Sequence, residues 1–316
     1  MEDKNPLVVS IRCITYNHAP FIRQCLDGFV MQKTNFRFEA IVHDDASTDG
    51  TADIILEYAE KYPDIIKPIF EPENQYSKGN GALTKIMYEA CKGKYVALCE
   101  GDDYWTDPLK LQKQVDFMES DTEEKYVMCF HDSTVVDQYE NVIQNTHLGK
   151  NQYQDLTGEN LMTLNHPPTQ TILFRQKCYA EEFDIIMKSY YVVNQDTILN
   201  YMLGKHGAAK YLPNVENSIY RIHPGGIWSM KSELQQKEML YVLFSFLRNQ
   251  DIRFKRFYDI QRKVYAARIV ELATKSRDYF CMSKYFIIAS FLSLKMGDMQ
   301  YLINIPKGVV YNIIHK

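Results

Sequence analysis

The sequence predicts an α/β protein: a mostly parallel sheet flanked by helices, with a helical C-terminal extension. Three observations carry that expectation. Short apolar runs alternate with helix-period segments across residues 7–119, the pattern of repeated βαβ units. From Ser232 onward the pattern is helical, with few turn signals before Gly297. Hydrophobic residues make up 46% and charged residues 24% of the 316, the balance of a soluble globular protein, which excludes a disordered chain, a collagen-like fibre and a coiled-coil rod.

Each element has its own signal. Leu7 to Thr15 is an apolar strand interrupted only by Ser10 and Arg12. Pro20 opens a helix with Phe21, Ile22, Cys25, Leu26 and Phe29 on one side. Phe38 to Val42 reads as a second buried strand. Ser47, Thr48 and Asp49 are N-cap candidates for a helix whose inner face is Ile54, Ile55, Tyr58 and Ala59. Ile65 to Phe70 is a third strand, Asn80 to Cys91 a helix stopped by Gly93, Tyr95 to Cys99 a fourth strand, and Pro108 to Glu119 a helix. Beyond these, Val127 to Phe130 and Thr171 to Phe174 are strand-like, while Leu161, Phe183 and Ile198 sit in helix-like stretches.

Charge divides the chain. Residues 1–230 hold 21 Lys and Arg against 33 Asp and Glu; residues 231–316 hold 15 against 7. With the glycines at 225 and 226, this sets an expected boundary between a domain of residues 1–230 and a basic helical region of residues 231–316. A basic region suits an anionic membrane surface, a partner or nucleic acid, or is a solvated helical face. The seven cysteines are dispersed, with no C-x-x-C pair and no metal-ligand spacing, which suits a reducing compartment. The first residues lack a signal-peptide run, and Tyr285 to Leu294 is too short to span a bilayer. A cytoplasmic protein is expected.

In a parallel sheet, ligands bind beyond the carboxyl ends of the strands. The polar clusters fall there. Strand one ends in Thr15-Tyr16-Asn17-His18, strand two in His43-Asp44-Asp45, and strand four in Glu100-Gly101-Asp102-Asp103. Five crowded carboxylates need compensation, and a hard divalent cation, Mg²⁺ or Mn²⁺, supplies it. Asp49 reads as a turn and cap residue, and Gly79-Asn80-Gly81 as a plain loop. Asp196 opens a helix pattern and by itself complements the helix dipole. Tyr220-Arg221-Ile222-His223, before two glycines, reads equally as a mobile loop that closes over an anion or as an ordinary turn.

These clusters, in this order, resemble those of the family 2 glycosyltransferases, inverting enzymes with a GT-A fold. The resemblance rests on Thr15-Tyr16-Asn17, on Asp44-Asp45-Ala46-Ser47-Thr48-Asp49-Gly50-Thr51 and on Glu100-Gly101-Asp102-Asp103, and it covers roughly residues 6–230. It implies that Thr15 and Tyr16, with Asn17, line the nucleotide site. It implies that Asp44 and Asp45 hold the base and ribose, with their division of labour left open. Asp102 matches the metal-holding Asp of the D-x-D motif, with Glu100 in place of its first Asp and Asp103 following. Asp196 looks like the general base of the late motif, where Gln195 replaces the usual Glu. Arg221 and His223 resemble the segment that contacts the diphosphate.

What the resemblance implies for function is a sugar transfer from a nucleotide-diphosphate sugar, with UDP-sugars the common donors, to a hydroxyl. The acceptor would be a glycan or lipid-linked glycan, in cell-surface polysaccharide or lipopolysaccharide assembly. No nucleic acid partner is expected, and the basic region would make peripheral contact at the inner face of the membrane. Two other classes share parts of this pattern. A nucleotidyltransferase would carry a Gly-rich basic triphosphate loop after its first strand, and Thr15 to Phe21 has none. A non-catalytic nucleotide-sugar-binding protein would be expected to lack Asp102 or Asp196, and both are present.

Overall fold

A computed structural model describes residues 6–163 and 166–298. The chain divides into two compact units. One runs to Tyr191 and resumes at Asp196–His223; the other comprises Val192–Gln195 and the chain from Pro224. The expected boundary is at residue 230, whereas Pro224 to Met230 fall with the helical unit.

The first unit opens with four parallel strands, β1 (Leu7–Thr15), β2 (Arg37–Asp44), β3 (Ile66–Phe70) and β4 (Tyr95–Leu98), in the order β3-β2-β1-β4. Helices α1 (Ile22–Val30), α2 (Thr51–Lys61) and α3 (Ala82–Ala90) connect them, and α4 (Lys110–Ser120) follows β4. The apolar spacing of α1 buries Ile22, Cys25, Leu26 and Phe29 against Val9, Ile11 and Cys13 of β1 and Val42 of β2 in one core cluster. The order places β2 and β4 on opposite sides of β1, and the crossovers leave the sheet there in different directions. The carboxyl edge around β1 is therefore the crevice such sheets use for ligands.

The sheet continues through β5 (Tyr126–Phe130), β8 (Leu173–Arg175) and β9 (Ala208–Tyr211), in the order β4-β8-β5-β9. Among its seven strands, β8 runs antiparallel to both neighbours. Short helices α5 (Gly158–Met162), α6 (Gln176–Glu181) and α7 (Phe183–Lys188), with α8 (Gln195–Gly204), fill the connections. A second, three-stranded sheet has the order β10-β6-β7, from β6 (Ser133–Asp137), β7 (Val142–Gln144) and β10 (Ser218–Ile222).

That second sheet corrects one expectation. The Tyr220–His223 segment is not a free loop: Ser218 to Ile222 pair in parallel with Ser133 to Asp137. Tyr104 and Ile219 form a further bridge, with mutual backbone hydrogen bonds of 3.3 and 2.8 Å. Backbone pairing across residues distant in sequence fixes what local polarity alone left open.

The second unit contains α9 (Glu233–Leu247), α10 (Lys255–Ser276) and α11 (Tyr279–Met296). Ser232 caps α9 and Asp278 caps α11. Ala266, Ile269, Val270 and Ala273 of α10 pack with Cys281, Tyr285 and Ala289 of α11. Buried Asp259 gathers Arg248, Arg262 and Lys295. The last part of the expected helical region, residues 299–316, lies outside the described residues. No helix among the described residues is long and apolar enough to cross a membrane.

Candidate active site

The strand ends are tied together before any ligand is considered. Parallel register sets Thr15 beside Asp44. Gly101 N donates to Ile14 O at 3.0 Å, which closes the segment after β4 onto β1. A side chain at 101 could not fit, since its Cβ would lie 2.6 Å from Thr15 Oγ1. Glu100 accepts from Ile14 N at 3.0 Å and lies 3.7 Å from Arg12. Burial pushes its carboxyl above the usual range, Arg12 opposes this, and Asp102 adds to it. Glu100 thus fastens β1 to the acidic segment.

Around β2 the two aspartates differ. Asp45 is buried; its Oδ1 accepts from Gln75 N at 2.7 Å and its Oδ2 from Tyr76 N at 3.0 Å. Asp44 is also buried, and its Oδ2 accepts from Ser47 N at 3.1 Å. Its Oδ1 has no partner, and neither has Thr15 Oγ1 beside it. Buried polar atoms without partners are uncommon in native structures and mark a place where a ligand donor would fit. Asn17 adopts a left-handed backbone with φ 54°; its N donates to Ser47 Oγ, and its Oδ1 accepts from Thr48 N, both at 2.8 Å. Tyr16, by contrast, is 46% exposed.

After β4 the same division recurs. Asp103 is buried and accepts from Arg221 N at 2.9 Å. Burial, and then the charge of Asp102, raise its carboxyl well above the usual range. Asp102 Oδ2 lies 3.0 Å from His223 Nε2 and 3.9 Å from His18 Nε2. Burial alone would raise Asp102; the His223 hydrogen bond and the two imidazoles outweigh it and hold the carboxyl below the usual range. One ligand atom from each of His18, Asp102 and His223 falls within 4.8 Å of the others. Imidazole nitrogen with carboxylate oxygen is a donor set that divalent transition metals accept.

Arg221 meets a different arrangement from the one expected of a diphosphate contact. Its side chain is buried, Nε donates to Asp102 O at 3.0 Å, one terminal nitrogen donates to Gln24 Oε1 at 2.7 Å, and the other to Glu140 at 2.5 Å. The guanidinium also lies 4.7 Å from the Phe21 ring centroid. All three ends are engaged inside the protein, so Arg221 holds the acidic segment in place.

Asp196 stands exposed in the first turn of α8, and its backbone O accepts from Asn200 Nδ2 at 2.8 Å. Burial, then the charges of Asp103, Asp102 and Asp196, push the Tyr220 phenol up to about 12. His166 is lowered by its burial, against the pull of Asp196.

Residues 10–187 match the family described as glycosyl transferase family 2. The chain belongs to this family. It is 37% identical over 221 residues to an uncharacterized protein of Mycobacterium tuberculosis, covering 70% of this chain and 60% of that relative. The match therefore spans less than two thirds of that protein's length. Among solved structures it is similar to S. aureus TarS in complex with UDP-GlcNAc, with a TM-score of 0.56, 16% identity and 92% of each chain covered. It is also similar to the mannosyltransferase PcManGT of Pyrobaculum calidifontis in complex with GDP-Man and Mn²⁺, with a TM-score of 0.54, 16% identity, and 99% and 90% covered. At that identity the likeness establishes the fold, which is the family's GT-A arrangement.

Within this family 2 domain, the structure brings Thr15, Asn17, Asp44, Asp45, Glu100, Asp102, Asp103, Arg221 and His223 to one edge of the sheet. Sequence reasoning passed over His18, Glu140 and Gln24. His18 had a signal, since it closes the first polar cluster. Glu140 and Gln24 had none, because their roles depend on a turn and a helix that meet only in the fold.

Proposed function

We propose that this chain is an inverting glycosyltransferase that moves a sugar from a nucleotide-diphosphate sugar, a UDP-sugar in the first instance, to an acceptor hydroxyl. One observation carries the proposal: at the carboxyl edge of the sheet the Asp102 carboxylate stands between two imidazoles, with the unpartnered Asp44 Oδ1 and Thr15 Oγ1 on neighbouring strands, while Asp196 is exposed in the first turn of α8. A donor-holding carboxylate and an exposed second carboxylate are the two groups a single displacement needs. Thr15, Tyr16, Asn17 and Asp44 would take the nucleoside, with Asp45 shaping the loop that presents Asp44. Asp102 and His223 would hold a divalent metal, Mn²⁺ or Mg²⁺. When bound, such an ion compensates the charge of the departing diphosphate. Glu100, Asp103 and Arg221 keep Asp102 in place. Asp196 takes the proton of the attacking hydroxyl, which is otherwise a weak nucleophile.

Titration with UDP and GDP, with and without Mn²⁺, followed by donor hydrolysis assays on a panel of nucleotide sugars, tests the reading. A nucleotidyltransferase would instead consume a nucleoside triphosphate, and a binding protein would hydrolyse nothing. Asp196→Asn should bind donor almost normally and lose transfer by roughly 10²–10⁴-fold, the usual range for a missing general base. Lost donor affinity with unchanged turnover would assign Asp196 to binding.

The acceptor expected from the resemblance is a hydroxyl of a glycan or lipid-linked glycan in cell-surface polysaccharide or lipopolysaccharide assembly. Contact with an anionic membrane is supported by α11, which exposes Phe280, Ile287, Phe291 and Leu294 beside Lys284 and Lys295. Sedimentation with anionic vesicles should carry the protein down and neutral vesicles should not, with salt weakening the effect. Absence of binding at low salt would remove this part of the proposal.

A further inference from the structure

His18 stands beside the Asp102–His223 pair. Its N donates to Thr51 Oγ1 at 2.9 Å, and its O accepts from Phe21 N and Ile22 N, both at 2.8 Å, where the chain turns into α1. The backbone is thus fixed on both sides of the peptide unit. The ring is half-buried and packs edge-on against His223, with centroids 5.7 Å apart and planes at 84°. Its Nδ1 has no hydrogen-bond partner. Its Nε2 faces Asp102 Oδ2 from 3.9 Å, too far for a hydrogen bond.

The spacing fits an ion better than it fits a contact. An octahedral ion with bonds near 2.1 Å sets neighbouring donors roughly 3 Å apart. The edge from His223 to Asp102 already has that length, at 3.0 Å. The edges to His18 are longer, within a total spread of 4.8 Å. Drawing the His18 ring in needs a movement of about 1–2 Å, which a side-chain rotation supplies. Oxygen-preferring Mg²⁺ gains little from two imidazoles, whereas Mn²⁺ and its first-row neighbours accept them.

We propose that His18 is a third protein ligand of the donor-side metal, which makes the site a two-histidine, one-carboxylate set selective for transition ions over Mg²⁺. The proposal rests on the reading above that Asp102 holds a metal. It assigns to the segment after β1 a role in choosing the ion as well as in lining the nucleotide site. His18 and His223 reach the ion from segments far apart in the chain. Metal binding would therefore also fasten the end of β10 to the turn before α1.

Pulsed electron paramagnetic resonance on the full chain loaded with Mn²⁺ and UDP tests this without relying on turnover. The wild type should show coupling to two imidazole nitrogens, and excess Mg²⁺ should leave that signal in place. His18→Ala should show one, and bind Mn²⁺ at least about tenfold more weakly, with UDP binding in the absence of metal as the check on folding. Wild-type Mn²⁺ coupled to one nitrogen or none, or displaced readily by Mg²⁺, overturns the His18 assignment, and does so without any variant. Mn²⁺ binding that survives Asp102→Asn, or no Mn²⁺ binding at all, overturns the underlying metal reading as well.

Discussion

Asp44-Asp45 after β2 and Asp102-Asp103 after β4 look alike in sequence, and the fold divides each pair in the same way. The second aspartate of each pair is buried and accepts backbone N–H groups: Asp45 from Gln75 and Tyr76, Asp103 from Arg221. The first keeps an oxygen for groups other than the loop backbone: Asp44 Oδ1 has no partner, and Asp102 Oδ2 faces the imidazoles of His223 and His18. At the end of β2 adjacent residues point in opposite directions, so Asp45 ties a loop while Asp44 faces away from it; after β4 a turn at Gly101 and Asp102 separates the two carboxylates instead. The pairs differ in what surrounds the reserved oxygen. Asp44 has Thr15 beside it, an arrangement suited to a neutral donor such as a base N–H or a ribose hydroxyl. Asp102 has two imidazoles, an arrangement suited to a cation. One residue type at equivalent strand ends is thus given two tasks by its neighbours.

The comparison breaks most visibly at Asp102. Asp102→Asn removes the anionic ligand and should lower metal-dependent transfer by roughly 10³-fold or more, since a metal contributes several kcal/mol of charge stabilisation. Thermal unfolding should move little. Retained metal-dependent turnover would place the metal elsewhere. Asp44→Asn should have a smaller effect confined to the nucleotide. Loss of a charge-assisted hydrogen bond worth about 1.5–3 kcal/mol weakens binding of a nucleoside diphosphate by roughly 10–100-fold. Calorimetric titration reads this directly, and equal loss of Mn²⁺ affinity would show that the two pairs are not separate in function.

The first half of the sheet was legible because its signals are local. Each of β1 to β4 is a short apolar run, and the α1 periodicity stands in nine consecutive residues. The clusters at the strand ends follow from that topology. The second sheet was not legible. β7 is exposed at every position, and β10 carries Arg221 in a five-residue strand, so neither shows an alternating apolar pattern. Pairing of β10 with β6, more than eighty residues away, is visible only in the fold. The same limit hid the roles of the carboxylates. Five acidic residues could be read as a crowded site, but which of them face backbone donors depends on loops that sequence spacing does not place.

The smallest effects on chemistry should come from the tied aspartates, and their sizes should rank by the bonds each makes. Asp45→Ala leaves Gln75 N and Tyr76 N without their acceptor, at a turn where Gln75 is buried and Tyr76 is exposed. A buried orphaned group costs about 1–3 kcal/mol and water takes up the exposed one at little cost, so stability should fall by about 2–3 kcal/mol. Asp103→Ala removes one backbone acceptor and also a buried carboxyl crowded by Asp102, which is itself unfavourable. A loss of about 1–2 kcal/mol is expected, the smaller of the two. Both variants should keep most of their turnover at saturating donor and metal, because the reserved oxygens of Asp44 and Asp102 remain. Denaturant unfolding monitored alongside saturating-rate assays separates the two quantities. If Asp45→Ala or Asp103→Ala lost turnover as severely as Asp102→Asn while remaining folded, the tied aspartate would be facing the substrate, and the division within that pair would be wrong.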